Sequence, residues 1–116
     1  MKRLFFVFAI FVSSLGTAQE YTSKVSAING QNVKYQSKIT IKDDTITITS
    51  ADYTLIYIIE NQIQHYYQLD LYNTKFNLTV AEVKGRSLGF KYTHAITLAD
   101  ASGQQSPIIY YAILKD

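Results

Sequence analysis

The sequence predicts an all-β domain of about eight short antiparallel strands, folded as a small barrel or a two-sheet sandwich. Apolar and polar residues alternate along most of the chain, which is the pattern of half-buried strands. Turn-forming residues interrupt this alternation at short intervals. β-branched and aromatic residues, which suit a pleated surface, are abundant, and no segment after residue 18 has the periodicity of an amphipathic helix.

The clearest element is a hairpin around Asp43 and Asp44. Residues 33–42 alternate regularly in polarity, and residues 45–49 do so again after the two aspartates. Short acidic side chains tolerate the tight backbone of a turn, so this pair predicts a two-residue connection. The resulting register places isoleucines opposite each other on one face, Ile41 with Ile46 and Ile39 with Ile48.

Further strands are predicted on both sides of this hairpin. A first strand over 21–28 ends at Asn29-Gly30, and later strands cover 53–59, 63–72, 76–83, 88–98 and 108–114. Turn-forming residues set their boundaries, at Asn61, at Asn73-Thr74, at Lys84-Gly85-Arg86 and in the loop 100–107. Residues 81–84 are also compatible with a single helical turn.

Residues 1–18 have the pattern of a cleavable secretory signal peptide. Lys2 and Arg3 give a positive start, residues 4–12 form an apolar run, and small residues precede an expected cleavage site between Ala18 and Gln19. The apolar run is shorter than the roughly 20 residues that a spanning helix needs. We therefore expect an exported protein, periplasmic or secreted, whose working chain is one β domain over 19–116. The short basic start and the Ala-Gln junction favour a bacterial source.

The charge of the working chain argues against nucleic-acid binding. The formal net charge of +2 belongs to the leader, because the 11 Lys and Arg residues become nine without Lys2 and Arg3, against nine Asp and Glu. A neutral domain does not attract a phosphate backbone by bulk charge. The chain has no cysteine, which excludes a disulfide scaffold and a lipid anchor on a cysteine at the cleavage site.

Two predicted strands, 53–59 and 108–114, are apolar on both faces. An antiparallel sheet of a small domain usually keeps one face wet, so the second face needs an explanation. Either loops, polar side chains or a second sheet shield it, or it forms a contiguous patch for docking or self-association. The residues of that partner or oligomer face are Ile56, Ile58, Ile109, Tyr111 and Ile113.

A barrel inserted in a membrane is a further alternative, which the sequence disfavours. Spanning strands need about 9–11 residues each and an apolar outward band. Residues 45–49 are too few, and the outward side of 33–42 carries Lys34, Lys38 and Lys42. We therefore expect no stable membrane insertion after signal cleavage.

A second candidate surface lies on the polar side of 63–72. Flat aromatic rings stack on sugars or peptides, while amide and carboxylate groups form hydrogen bonds to them. The residues of this candidate binding face are Gln64, Tyr66, Gln68, Asp70 and Tyr72. The alternative is an ordinary solvated face in which the tyrosines pair with cross-strand neighbours.

The two histidines, His65 and His94, fall on predicted apolar stripes. We expect each to be partly buried and hydrogen-bonded, because metal sites take about three or four ligands and no His or Cys spacing supplies them. No serine stands in a nucleophile elbow, and no glycine-rich loop is spaced to hold a phosphate. The sequence predicts no metal, no cofactor and no catalytic residue.

The sequence therefore favours an exported, non-catalytic β domain that acts by binding. Its partner would be a protein, a polymer or a second copy of the chain, held by an apolar and aromatic strand face. Two alternatives stay open. A barrel with an internal cavity lined by tyrosine and isoleucine would carry a small apolar ligand. A hydrolase would use His65 or His94 as general base, with a carboxylate within hydrogen-bond reach.

Overall fold

The computed structural model describes residues 18–115. The leader predicted over 1–18 therefore falls outside the described residues, except for Ala18. Among the described residues, no helix is long and apolar enough to cross a membrane. The strands in chain order are β1 (Gln19–Ile28), β2 (Gln31–Lys42), β3 (Thr45–Ser50), β4 (Thr54–Ile63), β5 (Tyr66–Leu71), β6 (Thr74–Ser87), β7 (Phe90–Asp100) and β8 (Ile108–Lys115).

The strands form a closed antiparallel barrel in which each pairs with its neighbours in the sequence. The ring closes between the first and last strands, where Tyr21 of β1 pairs with Leu114 of β8. This confirms the predicted all-β fold of about eight strands and selects the barrel over the sandwich. Closure leaves none of the described strands as an edge of the ring, which removes the usual template for backbone pairing along the closed part of the barrel.

The hairpin of β2 and β3 has the predicted register. Its turn is Asp43-Asp44, and Asp43 adopts a φ of 56°, a conformation that short polar residues tolerate. Ile39 pairs with Ile48, and Ile41 pairs with Ile46. All the isoleucines of this hairpin therefore face the interior.

Inward side chains that alternate with outward ones fill the barrel. The fully buried large aliphatic residues are Ile39, Ile46, Ile48, Leu69, Leu78 and Ile96. Four buried tyrosines belong to the same cluster, namely Tyr21, Tyr57, Tyr67 and Tyr110. Burial raises the pKa of all four phenols, to about 12 for Tyr57, because the ionised form loses its hydration.

The prediction of one strand over 63–72 is wrong. β4 continues through Asn61 to Ile63, residues Gln64 and His65 form a turn, and β5 begins at Tyr66. Gln64 adopts a φ of 54°, which reverses the chain without a glycine, an asparagine or a proline. Asn61, predicted as a turn, instead lies beside a register shift in the β4–β5 ladder.

The predicted turn at Lys84-Gly85-Arg86 is also wrong, as is the alternative of a helical turn over 81–84. β6 runs through both segments to Ser87, with a register shift between Glu82 and Gly85. The chain reverses at Leu88-Gly89, where both residues have positive φ. The prediction placed the turn at the wrong glycine. Gly85 makes room for the ring of Tyr92 on the neighbouring strand and does not form a turn.

The end of the β6–β7 hairpin extends beyond the ring and packs on its outer surface. β8 pairs with β7 only from His94 onward, so residues 83–93 project as a two-stranded segment, the hairpin arm. Tyr92 of the arm packs on Tyr111 of β8, with ring centroids 4.6 Å apart. Asn32 Nδ2 of β2 donates a hydrogen bond of 2.8 Å to Ser87 Oγ. The chain's own hairpin therefore covers part of the apolar outer surface.

Candidate functional site

The β4–β5 ladder brings together two sets of residues that the sequence presented as separate candidates. Ile58 of β4 pairs directly with Asp70 of β5. Both side chains point outward, because their neighbours Tyr57 and Leu69 are buried in the core. The β4–β5 face is defined by the outward residues of these strands and the adjoining turn: Ile56, Ile58, Glu60, Asn61, Ile63, Tyr66, Gln68, Asp70 and Tyr72.

This face holds four large apolar side chains that are open to solvent. Ile56 is 54% exposed, Ile58 48%, Ile63 61% and Tyr72 85%. The other four exposed large apolar residues among those described lie in three other places: Tyr53 before β4, Val83 and Leu88 in the hairpin arm, and Ile113 on β8. Concentration of exposed apolar area on two adjacent strands is the usual mark of a docking surface.

Fixed polar groups lie between these apolar side chains. Asn61 Nδ2 donates a hydrogen bond of 3.1 Å to Gln68 Oε1 across the two strands. Lys75 Nζ of β6 donates to Glu60 Oε2 at 2.8 Å and to Asp70 Oδ1 at 3.0 Å. These bonds, first to Glu60 and then to Asp70, raise the pKa of Lys75. The face therefore combines apolar area with amide and carboxylate groups whose positions are already set.

Of the five residues predicted for the polar binding face, three lie on β5 and two lie in the turns that flank it. Tyr66, Gln68 and Asp70 lie on the outer side of β5, as the alternation indicated. Gln64 and Tyr72 lie in the turns at either end of that strand, both with positive φ. Gln64 accepts a hydrogen bond of 3.0 Å at its backbone oxygen from Gln62 Nε2, and its place in the turn takes it out of the strand.

The predicted apolar candidates on β8 do not join this face. β4 and β8 stand four places apart in the ring of eight strands, so they lie on opposite sides of the barrel. Tyr111 is half-buried beneath Tyr92 of the hairpin arm, and Ile109 is also half-buried. Ile113 stays exposed, but its cross-strand partner is Thr22 of β1, so it lies on the β1–β8 side of the barrel. Ile56 and Ile58 therefore cannot form one contiguous patch with the β8 residues.

The two histidines lie in different environments. His65 is exposed in the β4–β5 turn, which contradicts its predicted place on an apolar stripe, and its backbone oxygen accepts from Val80 N at 3.0 Å. His94 is half-buried, lies edge-on to Tyr21 at 5.4 Å, and shares a hydrogen bond of 2.8 Å between Nδ1 and Thr93 Oγ1. Within residues 18–115, no group of three or more acidic, cysteine or histidine side chains is placed to hold a metal ion.

A groove of about 420 Å³ that contains three charged side chains opens on the outer surface of β1, β2 and β3. Glu20 Oε2 lies 3.6 Å from Lys38 Nζ and 3.7 Å from Lys115 Nζ along this groove. All three side chains are solvent-accessible, so these ion pairs contribute little to stability. Because its one carboxylate is already paired with both lysines, the groove is a weaker candidate for a binding site than the β4–β5 face.

Comparison with known protein families, curated proteins and solved structures gives no match. The class of protein therefore follows from the fold and the face alone. The chain is a closed antiparallel β-barrel that exposes an apolar surface, with amide and carboxylate groups, on two adjacent strands.

Proposed function

We propose that this chain is an exported, non-catalytic β-barrel domain that binds a protein partner through the β4–β5 face. The observation that carries the proposal is the exposure of Ile56, Ile58, Ile63 and Tyr72 along the outer side of β4 and the end of β5. Branched aliphatic side chains gain from burial against protein but offer no flat ring on which a sugar stacks. A polymer of sugars is the second candidate partner, since Tyr66 and Tyr72 provide rings at the two ends of β5.

The energetics of the face suit a moderate interaction. Complete burial of an isoleucine contributes about 1.5–3 kcal/mol, and roughly half of that remains available at each half-exposed side chain. The three isoleucines together therefore supply about 3 kcal/mol, to which hydrogen bonds with Asn61, Gln68 and Asp70 would add specificity. Since β5 is paired from Tyr66 to Asp70 with both β4 and β6, the partner docks on the side chains of that strand rather than by adding a strand to it.

Export is part of the proposal and rests on the leader pattern of residues 1–18. A small domain without cysteine needs a sufficient core to fold in an oxidising compartment, and the packed barrel interior supplies one. The domain would then meet its partner in the periplasm or outside the cell.

The alternative functions receive less support from the arrangement of side chains. The carrier needs space inside the barrel, where the described aliphatic residues and tyrosines are packed together. The hydrolase needs a histidine with a carboxylate partner, but the hydrogen bond recorded for His94 goes to Thr93 and the His65 ring is exposed. Binding on the outer surface agrees better with both observations.

The test uses the chain from Gln19 to Asp116 and a matched pair of isoleucine variants. A partner is captured by cross-linking on the cells that make the protein, purified, and titrated by calorimetry against each variant. We expect Ile58→Asp to weaken binding by at least about tenfold, since about 1.4 kcal/mol corresponds to that factor. Ile113→Asp, the same change on the opposite side of the barrel, serves as the control and should leave the affinity unchanged.

Equal loss of affinity in both variants, or in neither, would contradict the proposal. Sedimentation of the unbound chain decides whether the partner is a second copy. A concentration-dependent dimer that Ile58→Asp dissolves would assign the face to self-association instead.

A further inference from the structure

The turn at the tip of the hairpin arm contains Leu88, although its backbone geometry favours a different residue type. Leu88 and Gly89 have φ values of 48° and 81°, the geometry that favours Asn-Gly in two-residue hairpin loops. Leucine is strained at positive φ, yet Leu88 is also 49% exposed. The β1–β2 turn has the same geometry with Asn29-Gly30, so the fold itself accepts the favoured pair. A strained, exposed leucine at a tip therefore indicates a role outside folding.

Positive charges surround this tip. Arg86 and Lys91 are direct cross-strand partners in the arm, and Lys84 precedes them on β6. Like charges placed opposite each other destabilise a strand pair, so this pairing also does not serve the fold. Lys24 and Lys34 line a cavity of about 280 Å³ together with Leu88, Gly89 and Phe90.

In the described part of the chain, these cations differ from all the others except Lys42 at the β2–β3 turn. Lys38, Lys75 and Lys115 each have a carboxylate oxygen within 4.0 Å. The cations at the arm have none within that distance among residues 18–115: Lys24, Lys34, Lys84, Arg86 and Lys91. Five of the nine Lys and Arg residues outside the leader thus form a basic surface, although the domain as a whole is close to neutral.

The arm holds this surface in a fixed orientation. Ser87, Phe90 and Tyr92 belong to the side of the arm that faces the barrel: Ser87 bonds to Asn32, Tyr92 packs on Tyr111, and Phe90 lines a cavity with Val25. Arg86 and Lys91 alternate with these residues, so they lie on the opposite, solvent-facing side. Val25 is 1% exposed although it lies outside the central core cluster, and it lines the cavity beneath the tip together with Leu88 and Phe90.

We propose that the hairpin arm docks the domain on the surface of an anionic phospholipid bilayer. Lys and Arg side chains bind the lipid phosphates, and Leu88 enters the boundary between headgroups and acyl chains. A soluble polyanion would satisfy the cations but offers no apolar phase to Leu88. Charge complementarity and the apolar tip together therefore favour a lipid surface over a dissolved polymer.

Docking through the arm is compatible with the proposed protein-binding face. The arm contacts β8 through Tyr92 and β2 through Ser87, the strands on either side of β1, and β5 stands four places from β1 in the ring of eight strands. A domain that rests on lipid through the arm would therefore present the β4–β5 face away from the bilayer. The two proposals are independent, because they use different residues on opposite sides of the barrel.

The test is co-sedimentation of the chain from Gln19 with vesicles. Vesicles of phosphatidylglycerol mixed with phosphatidylcholine should bind the chain, added salt should weaken binding, and vesicles of phosphatidylcholine alone should not bind. Arg86→Gln should lower the partition coefficient about fivefold, as expected for one lost cation near the surface. Lys42→Gln is the matched control, since Lys42 is exposed near the β2–β3 turn and lies outside the basic surface.

Leu88→Asn separates insertion from folding. Asparagine fits the turn, so the midpoint of thermal unfolding should stay equal or rise while vesicle binding falls about tenfold. Leu88→Gly is a second variant with the same expected loss, and it keeps the test valid if asparagine disturbs the arm. Unchanged binding in both variants would overturn the proposal.

Three further outcomes would also overturn it. Equal binding to vesicles without phosphatidylglycerol would remove the role of the cations. If Lys42→Gln lowered vesicle binding as much as Arg86→Gln, the vesicles would be attracting the total charge of the domain and not the arm. Binding to dextran sulfate that depends on Arg86, without binding to vesicles, would assign the surface to a soluble polyanion.

Discussion

The ring of Tyr92 lies across Gly85 in the β6–β7 ladder, and a Cβ atom on Gly85 would stand 2.5 Å from Tyr92 Oη. The missing side chain is what lets the ring lie over the backbone of its cross-strand partner. From there the ring reaches Tyr111, at an interplanar angle of 36°. One glycine in the middle of a strand therefore permits the packing that anchors the hairpin arm to the barrel.

Gly85→Ala should displace the Tyr92 ring and destabilise the arm. Overpacking of this kind costs about 1–3 kcal/mol, because the phenol is held by Tyr111 and cannot move away freely. Urea unfolding of both single variants and of Gly85→Ala with Tyr92→Ala forms a double-mutant cycle. We expect the alanine at position 85 to cost much less once the ring is removed. Additive effects of the two changes would show that the glycine serves another purpose.

Two isoleucines on neighbouring strands test which side chains of β3 and β4 face the barrel interior. Ile46 of β3 is fully buried, whereas Ile56 of β4 is mostly exposed. Ile46→Ala should lower the free energy of unfolding by about 2–5 kcal/mol, since it leaves a cavity in the core. Ile56→Ala should change it by less than about 0.5 kcal/mol. Similar costs for the two substitutions would contradict the register described for β3 and β4.

The buried tyrosines make the fold sensitive to alkali. Burial raises the pKa of Tyr57 from 10.0 to about 12, so the folded state disfavours the ionised phenol. Its contribution to stability is fully present below pH 10 and is lost as the pH rises from 10 toward 12. A shift of this size corresponds to about 2–3 kcal/mol.

Thermal unfolding monitored across that pH range, together with the ultraviolet absorbance of tyrosinate, tests this dependence. Tyr57→Phe removes the titrating group and should make the loss of stability with pH less steep. The same slope in the variant and the natural chain would assign the alkaline transition to other residues.

Tyr72 couples stability to binding. The turn Tyr72-Asn73 has φ values of 51° and 67°, so tyrosine occupies a position that favours asparagine or glycine. Tyr72→Asn should raise the free energy of unfolding by up to about 1 kcal/mol, because it relieves the left-handed strain. The same change should weaken partner binding, since it removes the most exposed ring of the β4–β5 face.

Tyr53→Asn is the control for this substitution. Tyr53 is also an exposed tyrosine, but its φ is not positive, so we expect no gain in stability. A gain in both variants would point to the loss of apolar exposure as the cause, and a loss in Tyr72→Asn would show that the ring contributes to the fold.

Part of the candidate site followed from local alternation alone. The outward positions of Tyr66, Gln68 and Asp70 can be read from the sequence, because side chains on a strand alternate between its two faces. The pairing of Asp70 with Ile58 could not, since it depends on a turn at Gln64-His65 that contains no turn-forming residue. The basic surface was missed because charges from distant strands meet there while the total charge stays near zero.

By itself the sequence determined strand content, the β2–β3 hairpin and the apolar side of the strands that alternate cleanly, since these follow from spacing along a few residues. The tertiary structure decided the closure of the ring, the joining of β4 with β5 into one exposed face, and the folding of the hairpin arm over β8. Those features depend on which distant segments bury each other, and period-two alternation fits several such arrangements equally well.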